Sequence, residues 1–141
     1  MFESSATTAP PRFMDQQPLS GKVLVVVGGT TGLGLSAARA FVAAGARGVV
    51  VTGRDAGSAS AALTSLGTSA AVHVGTAMDP THAPDAIAVA LERFGGFHGL
   101  YHVAGGSGRR LGDGPLHEVT DDGLRATLQL HLESVILSHR A

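Results

Sequence analysis

The 141-residue chain contains no cysteine. It therefore has no disulfide, no thiolate nucleophile and no cysteine-based zinc site. It has one tyrosine, Tyr101, and one lysine, Lys22. Chemistry that needs a tyrosine and a lysine together on one helix has no residues to use here. Charged residues make up only 15% and the net charge is −1, with no long basic run. That pattern argues against a nucleic-acid partner. No apolar run approaches the ~20 residues of a membrane span. Residues 1–20 lack the basic flank and apolar stretch of a signal peptide. The expectation is a cytoplasmic protein with neither membrane nor nucleic acid as partner. The 20 glycines follow no three-residue period, which excludes collagen. Apolar residues, at 44%, are enough for one domain with a real core.

Residues 1–20, with Pro10, Pro11 and Pro18, read as a flexible leader that is ordered at most near Phe13 and Met14. Residues 21–141 read as one domain. Val23 to Val27 is a continuous apolar run, the mark of a strand buried on both faces. A helix is predicted over Leu33 to Ala44, stopped by Gly45. Val49 to Val51 is a second strand, Ser58 to Leu66 an alanine-rich helix, and Ala71 to Val74 a third strand weakened by His73. Pro84 to Phe94 reads as a helix ended by Gly95-Gly96. Leu100 to Val103 is the fourth strand, followed by a glycine-rich loop over Gly105 to Pro115. Thr120 is positioned to cap a last helix reaching Ser138, with Asp121 and Asp122 complementing its start. Strands alternating with helices predict an α/β fold: a Rossmann-type parallel sheet of four strands in order 3-2-1-4, with helices on both faces.

The segment Gly28-Gly29-Thr30-Thr31-Gly32-Leu33-Gly34 lies between the first strand and the first helix. At that place Gly28 permits a tight exit from the strand. Gly32 leaves a pyrophosphate free to reach the backbone, and Gly34 lets the helix pack close. The free N–H groups of the helix start then bind phosphate oxygens, Leu33 by its backbone, with the Thr30 and Thr31 hydroxyls adding hydrogen bonds. An acid at the end of the second strand would hold a ribose 2′-hydroxyl. Gly53 stands there instead, followed by Arg54, whose guanidinium suits a 2′-phosphate. This favours NADP(H) over NAD(H). The competing reading pairs Arg54 with Asp55 on the surface.

From Lys22 to Ala141 the chain resembles the short-chain dehydrogenase/reductase family. The family's T-G-x-x-x-G-x-G motif is met by Gly28, Gly32 and Gly34, with Val27 in place of Thr. Asp79 matches the acid that the family sets against the adenine. His102-Val103-Ala104-Gly105 keeps only the Ala-Gly of the family's N-N-A-G, and Ala104 and Gly105 would border the ribose. His131, in Leu130-His131-Leu132, occupies the place of a catalytic Asn. The resemblance implies NAD(P)-dependent, reversible hydride transfer between a carbonyl and an alcohol, on a small-molecule substrate, and assembly of copies through the last helix. The family's Ser and Tyr-x-x-x-Lys follow a fifth strand, so the expectation is a chain carrying the cofactor half of such an enzyme. The alternatives are a non-catalytic nucleotide-binding or regulatory module, or a chain too incomplete to hold cofactor.

Seven histidines invite a metal reading, but the spacings of His98 with His102 and of His131 with His139 suit local packing better, and no metal site is expected. His102 is expected to satisfy a backbone group at its strand end. Adjacent Arg109 and Arg110 read as solvated loop residues.

Overall fold

Valine dominates the centre of the molecule because the central strands are covered on both sides. The computed structural model describes residues 17–141; the expected leader, apart from its last few residues, lies outside them. Strands β1 (Val23–Val27), β2 (Gly48–Gly53), β3 (Ala70–Val74) and β4 (Gly99–His102) form one parallel sheet in the order β3-β2-β1-β4. This is the order expected from the alternation of elements. Val25 lies opposite Val50 on β2 and Leu100 on β4, which sets the register on both sides of β1.

Because strand side chains alternate, β1 and β2 feed two cores. Val26, Val49 and Val51 face α1 (Gly32–Ala43) and α2 (Ala56–Leu66), packing on Ala38, Ala62 and Leu66. Val23, Val25, Val27 and Val50 face α3 (His82–Phe94), packing on Ala86 and Ala90. Alanine on these helices lets the backbones approach the branched strand residues closely. The first described residues join the same frame. Leu19 donates its N–H to the Ala44 carbonyl, and Ser20 bridges Ala46.

Local chemistry ends each helix where the residue types require it. Gly45 (φ 85°) and Gly95 (φ 68°) take the left-handed conformation that closes α1 and α3. Asp55 caps α2 by accepting the Ser58 N–H at 2.7 Å. Thr120 caps α4 (Asp121–Leu128) by accepting the Gly123 N–H at 3.1 Å.

The helix expected to run unbroken from Thr120 to Ser138 differs. A wider, π-helical turn over Gln129–Glu133 joins α4 to α5 (Ser134–His139). No glycine or proline marks this turn, and its residues accept an ordinary helix. Contacts on two flanks hold it. Thr127 and His131 reach the glycine-rich loop, while Ser134 and Ser138 reach His102 on the sheet.

Val50→Ala should cost about 2–3 kcal/mol through lost burial and the cavity left behind. Leu116→Ala, at a residue 90% exposed, should stay within about 0.5 kcal/mol. Chemical denaturation of both variants checks this, and equal losses would contradict the two-core arrangement.

Candidate functional site

The carboxyl ends of β1, β2 and β4 open onto one cleft of about 420 Å³, the place where open α/β sheets take ligands. Its floor is the turn after β1. Thr52, fully buried at the end of β2, accepts both the Gly28 N–H (3.1 Å) and the Gly29 N–H (2.8 Å) on its carbonyl oxygen. This pins the turn to the neighbouring strand. Side chains are excluded there by contact. A Cβ on Gly28 would stand 2.6 Å from the Ala104 nitrogen, and one on Gly34 would run into the Gly28 carbonyl oxygen. Gly29 is equally constrained, its Cβ position lying 2.9 Å from the Cβ atoms of Val26 and Val51.

Gly32 differs from these three. Its φ is 53°, and nothing lies within 4 Å of the position a Cβ would take. The backbone there is open to the cleft. Thr31, which precedes α1, gives no side-chain cap to the helix. The first N–H groups of a helix have no intrahelical partner, so this start presents free donors and the positive end of the helix dipole. Leu33 stands 80% exposed over it.

The structure brings Gly28, Thr30, Thr31, Gly32, Leu33, Arg54, Ala104 and Gly105 to the cleft. Gly34 acts one layer below, through packing. Arg54 lies on the lining without an ion pair among the described residues. The pairing with Asp55 is not seen, because that carboxylate binds the Ser58 hydroxyl and N–H, both at 2.7 Å. The Ser58 hydroxyl, then its backbone N–H, hold the Asp55 carboxyl below the usual range. Asp79 is exposed and follows directly on the lining residue Met78. It accepts the Thr81 N–H at 2.9 Å and the Thr81 hydroxyl at 3.1 Å, which lower its pKa. Thr76, Ala77 and Met78 line that end of the cleft.

His131 lies behind the loop wall. It accepts the Gly106 N–H on Nε2 at 3.3 Å, and its ring fills the space a Cβ on Gly105 would need. His102 satisfies the Ala104 carbonyl through Nε2 at 2.8 Å and meets Ser138 through Nδ1 at 3.0 Å. A carbonyl only accepts, so Nε2 carries the hydrogen and the Ser138 hydroxyl donates to Nδ1. Burial holds His102 below the ordinary histidine range; the Ala104 bond opposes this and His139 adds to it. Arg109 and Arg110 are exposed, in a short helical turn of the loop.

Thr52 and His82 escaped the sequence reading. His82 is buried in the cleft lining, its Nε2 at 2.8 Å from the Thr52 hydroxyl. A signal was available: His82, Ala86 and Ala90 share one face of α3, and a polar residue on a buried face needs a partner. Burial lowers the His82 pKa, the facing His73 lowers it further, and Asp79 and Asp85 oppose.

Sheet order, crossover helices and the cleft at the strand ends define a Rossmann-type α/β fold. The family model for short chain dehydrogenase matches residues 22–141, and the chain belongs to that family. It is similar to a short-chain type dehydrogenase/reductase from Mycobacterium ulcerans, with a TM-score of 0.77 and 25% identity over 86% of this chain and 45% of that one. A short-chain dehydrogenase/reductase from Serratia marcescens matches with a TM-score of 0.76 and 26% identity, over 87% of this chain and 50% of that one. The (+)-cis,trans-nepetalactol synthase NEPS1 of Nepeta racemosa is 48% identical over 46 residues, 33% of this chain and 17% of that protein. The chain thus spans half or less of the length of these relatives.

His82, buried, and His102, half-buried, both bind protons less readily folded than unfolded. Their stabilising effect is complete above the unfolded histidine value and is lost as the pH falls below about 6.5. The melting temperature should therefore drop between pH 7.5 and 5.5, and less steeply in His82→Gln and His102→Asn. A flat profile in the parent chain would refute the lowered pKa of the two histidines.

Proposed function

We propose that this chain is the cofactor-binding part of an NAD(P)-dependent oxidoreductase that interconverts a carbonyl and an alcohol on a small molecule, with NADP(H) preferred. The observation that carries the reading is the uncapped start of α1 beside Gly32, where free N–H groups and an open backbone face the cleft. Donors without side-chain obstruction fit a pyrophosphate. Gly28, Thr31, Gly32 and the Leu33 backbone would hold it, with Thr30 lying beside them against Gly53 and Gly34 keeping the helix in place. Ala104 and Gly105 would border the ribose, and Asp79 would shape the adenine end through its turn. The bound cofactor supplies hydride exchange at its nicotinamide; the residues here bind and orient it.

Arg54 supports the preference for NADP(H). It lies on the cleft lining, and the one carboxylate beside it is engaged in capping α2. A free guanidinium favours a phosphate over a ribose hydroxyl. One observation favours a second reading, a nucleotide-binding module without turnover. His131 stands where the family places an Asn and is engaged with the Gly106 N–H.

Assembly of copies through the last helix is part of the same proposal. Leu128, Leu132 and Ile136 form an exposed stripe along it, at the spacing of one helical face. Leu132→Glu should reduce the mass seen by sedimentation to that of one chain. An unchanged assembly, or a parent chain that is already monomeric, would rule out this contact.

NADPH fluorescence should rise on mixing with the chain. Arg54→Asp should weaken NADPH by about tenfold, the scale of one charge-assisted contact, with little effect on NADH. No signal at millimolar NADPH or NADH would refute cofactor binding; unchanged NADPH affinity in the variant would refute the role of Arg54.

A further inference from the structure

We infer that Thr30 is a specificity-determining residue of the cleft: its side chain occupies the space an acid at position 53 would need, so the wall beside Arg54 presents hydrogen-bond donors to a nucleotide bearing a 2′-phosphate. The inference rests on the cofactor reading above and goes further, because it makes the choice of cofactor a property of two residues packed against each other.

A Cβ built on Gly53 collides with the Thr30 hydroxyl oxygen and stands 2.9 Å from Thr30 Cγ2 and 3.1 Å from Thr30 Cβ. Thr30 has little room to yield. It is 93% buried by its 7% exposure, and its branched side chain is stiff about χ1. The backbone before it is held as well, since Gly29 donates its N–H to the Thr52 carbonyl at 2.8 Å and lies directly over Val26 and Val51. Position 53 is therefore glycine for a steric reason, and no acid enters there while Thr30 remains.

The chemistry of the wall follows. Recognition of a ribose diol needs an acceptor at the end of the second strand. Thr30, Gly53, Arg54, Asp55 and Ser58 all line this part of the cleft. The Asp55 carboxylate is turned to the start of α2, where its Oδ1 accepts from the Ser58 N–H and hydroxyl. At position 53 itself the wall is made by the Arg54 guanidinium, which only donates, and the Thr30 hydroxyl, which can donate. Two donors match a phosphomonoester, and a diol lacks the acceptor that an acid at position 53 would supply.

The test is titration of the full chain with NADPH and NADH, with thermal melting, for the parent, Gly53→Asp, Thr30→Ala and Thr30→Ala/Gly53→Asp. Gly53→Asp alone should lower the melting temperature and weaken both cofactors. Thr30→Ala should fold normally and weaken NADPH about threefold to tenfold more than it weakens NADH, the range of one hydrogen bond to a charged group. The double variant should regain the melting temperature and bind NADH in preference to NADPH. The inference is overturned if Gly53→Asp keeps full stability and switches preference by itself, or if Thr30→Ala weakens both cofactors equally. If Gly53→Asp does not fold, recovery of folding in the double variant supports the steric coupling, and its absence overturns it. A parent chain that binds neither cofactor refutes the cofactor reading instead. The melting temperatures of the four proteins still report whether positions 30 and 53 are coupled.

Discussion

The carbonyl of Thr52 anchors the whole upper edge of the sheet. It receives two consecutive N–H groups, from Gly28 and Gly29, as the chain leaves β1. That arrangement holds the turn flat against β2, and only residues without a Cβ fit beneath the neighbouring backbone. Gly34 then allows α1 to start directly on top of the turn. An added methyl group at Gly28 or Gly34 meets backbone atoms, which cannot rotate aside, so the contact is all or nothing. The start of α1 lies at the cleft because this packing fixes where the helix begins.

Two histidines, His82 buried and His102 half-buried, brace the cleft from opposite sides. His82 supports Thr52 from α3, and His102 supports the Ala104 carbonyl from β4 while meeting Ser138 on α5. Each takes a polar group that would otherwise be buried without a partner. Burial lowers the pKa of both rings, which favours the neutral form in which one nitrogen donates and the other accepts. The braces thus tie the walls of the cleft to elements on the outer layer, so α3 and α5 contribute to its shape without contributing much of its lining.

The side of the molecule formed by β4, α4 and α5 is built differently. β4 has β1 as its one partner in the described sheet, and Tyr101 packs edge-on against Phe41 of α1 with its ring half exposed. Polar contacts hold the glycine-rich loop to α4: Thr127 accepts the Gly108 N–H and donates to Asp113, and the Thr120 hydroxyl reaches the Leu111 carbonyl. Leucines and Ile136 remain outward on the helix. Apolar surface of that kind suits burial against further protein, in keeping with a chain that spans half or less of the length of its relatives.

The valine runs, the glycine turn and the capping residues Asp55 and Thr120 acted through near neighbours in the chain, and so the strands, their order and the position of the glycine turn were legible in the residues alone. The wider turn at Gln129–Glu133 was not, because its residues have no local preference for it and contacts with the loop and with His102 hold it. The roles of Thr52, His82 and His131 were likewise decided by segments far apart in sequence. Periodicity says which face of an element is buried. Which polar group meets which across that face depends on how the sheet twists and the helices settle, and only the folded chain decides that.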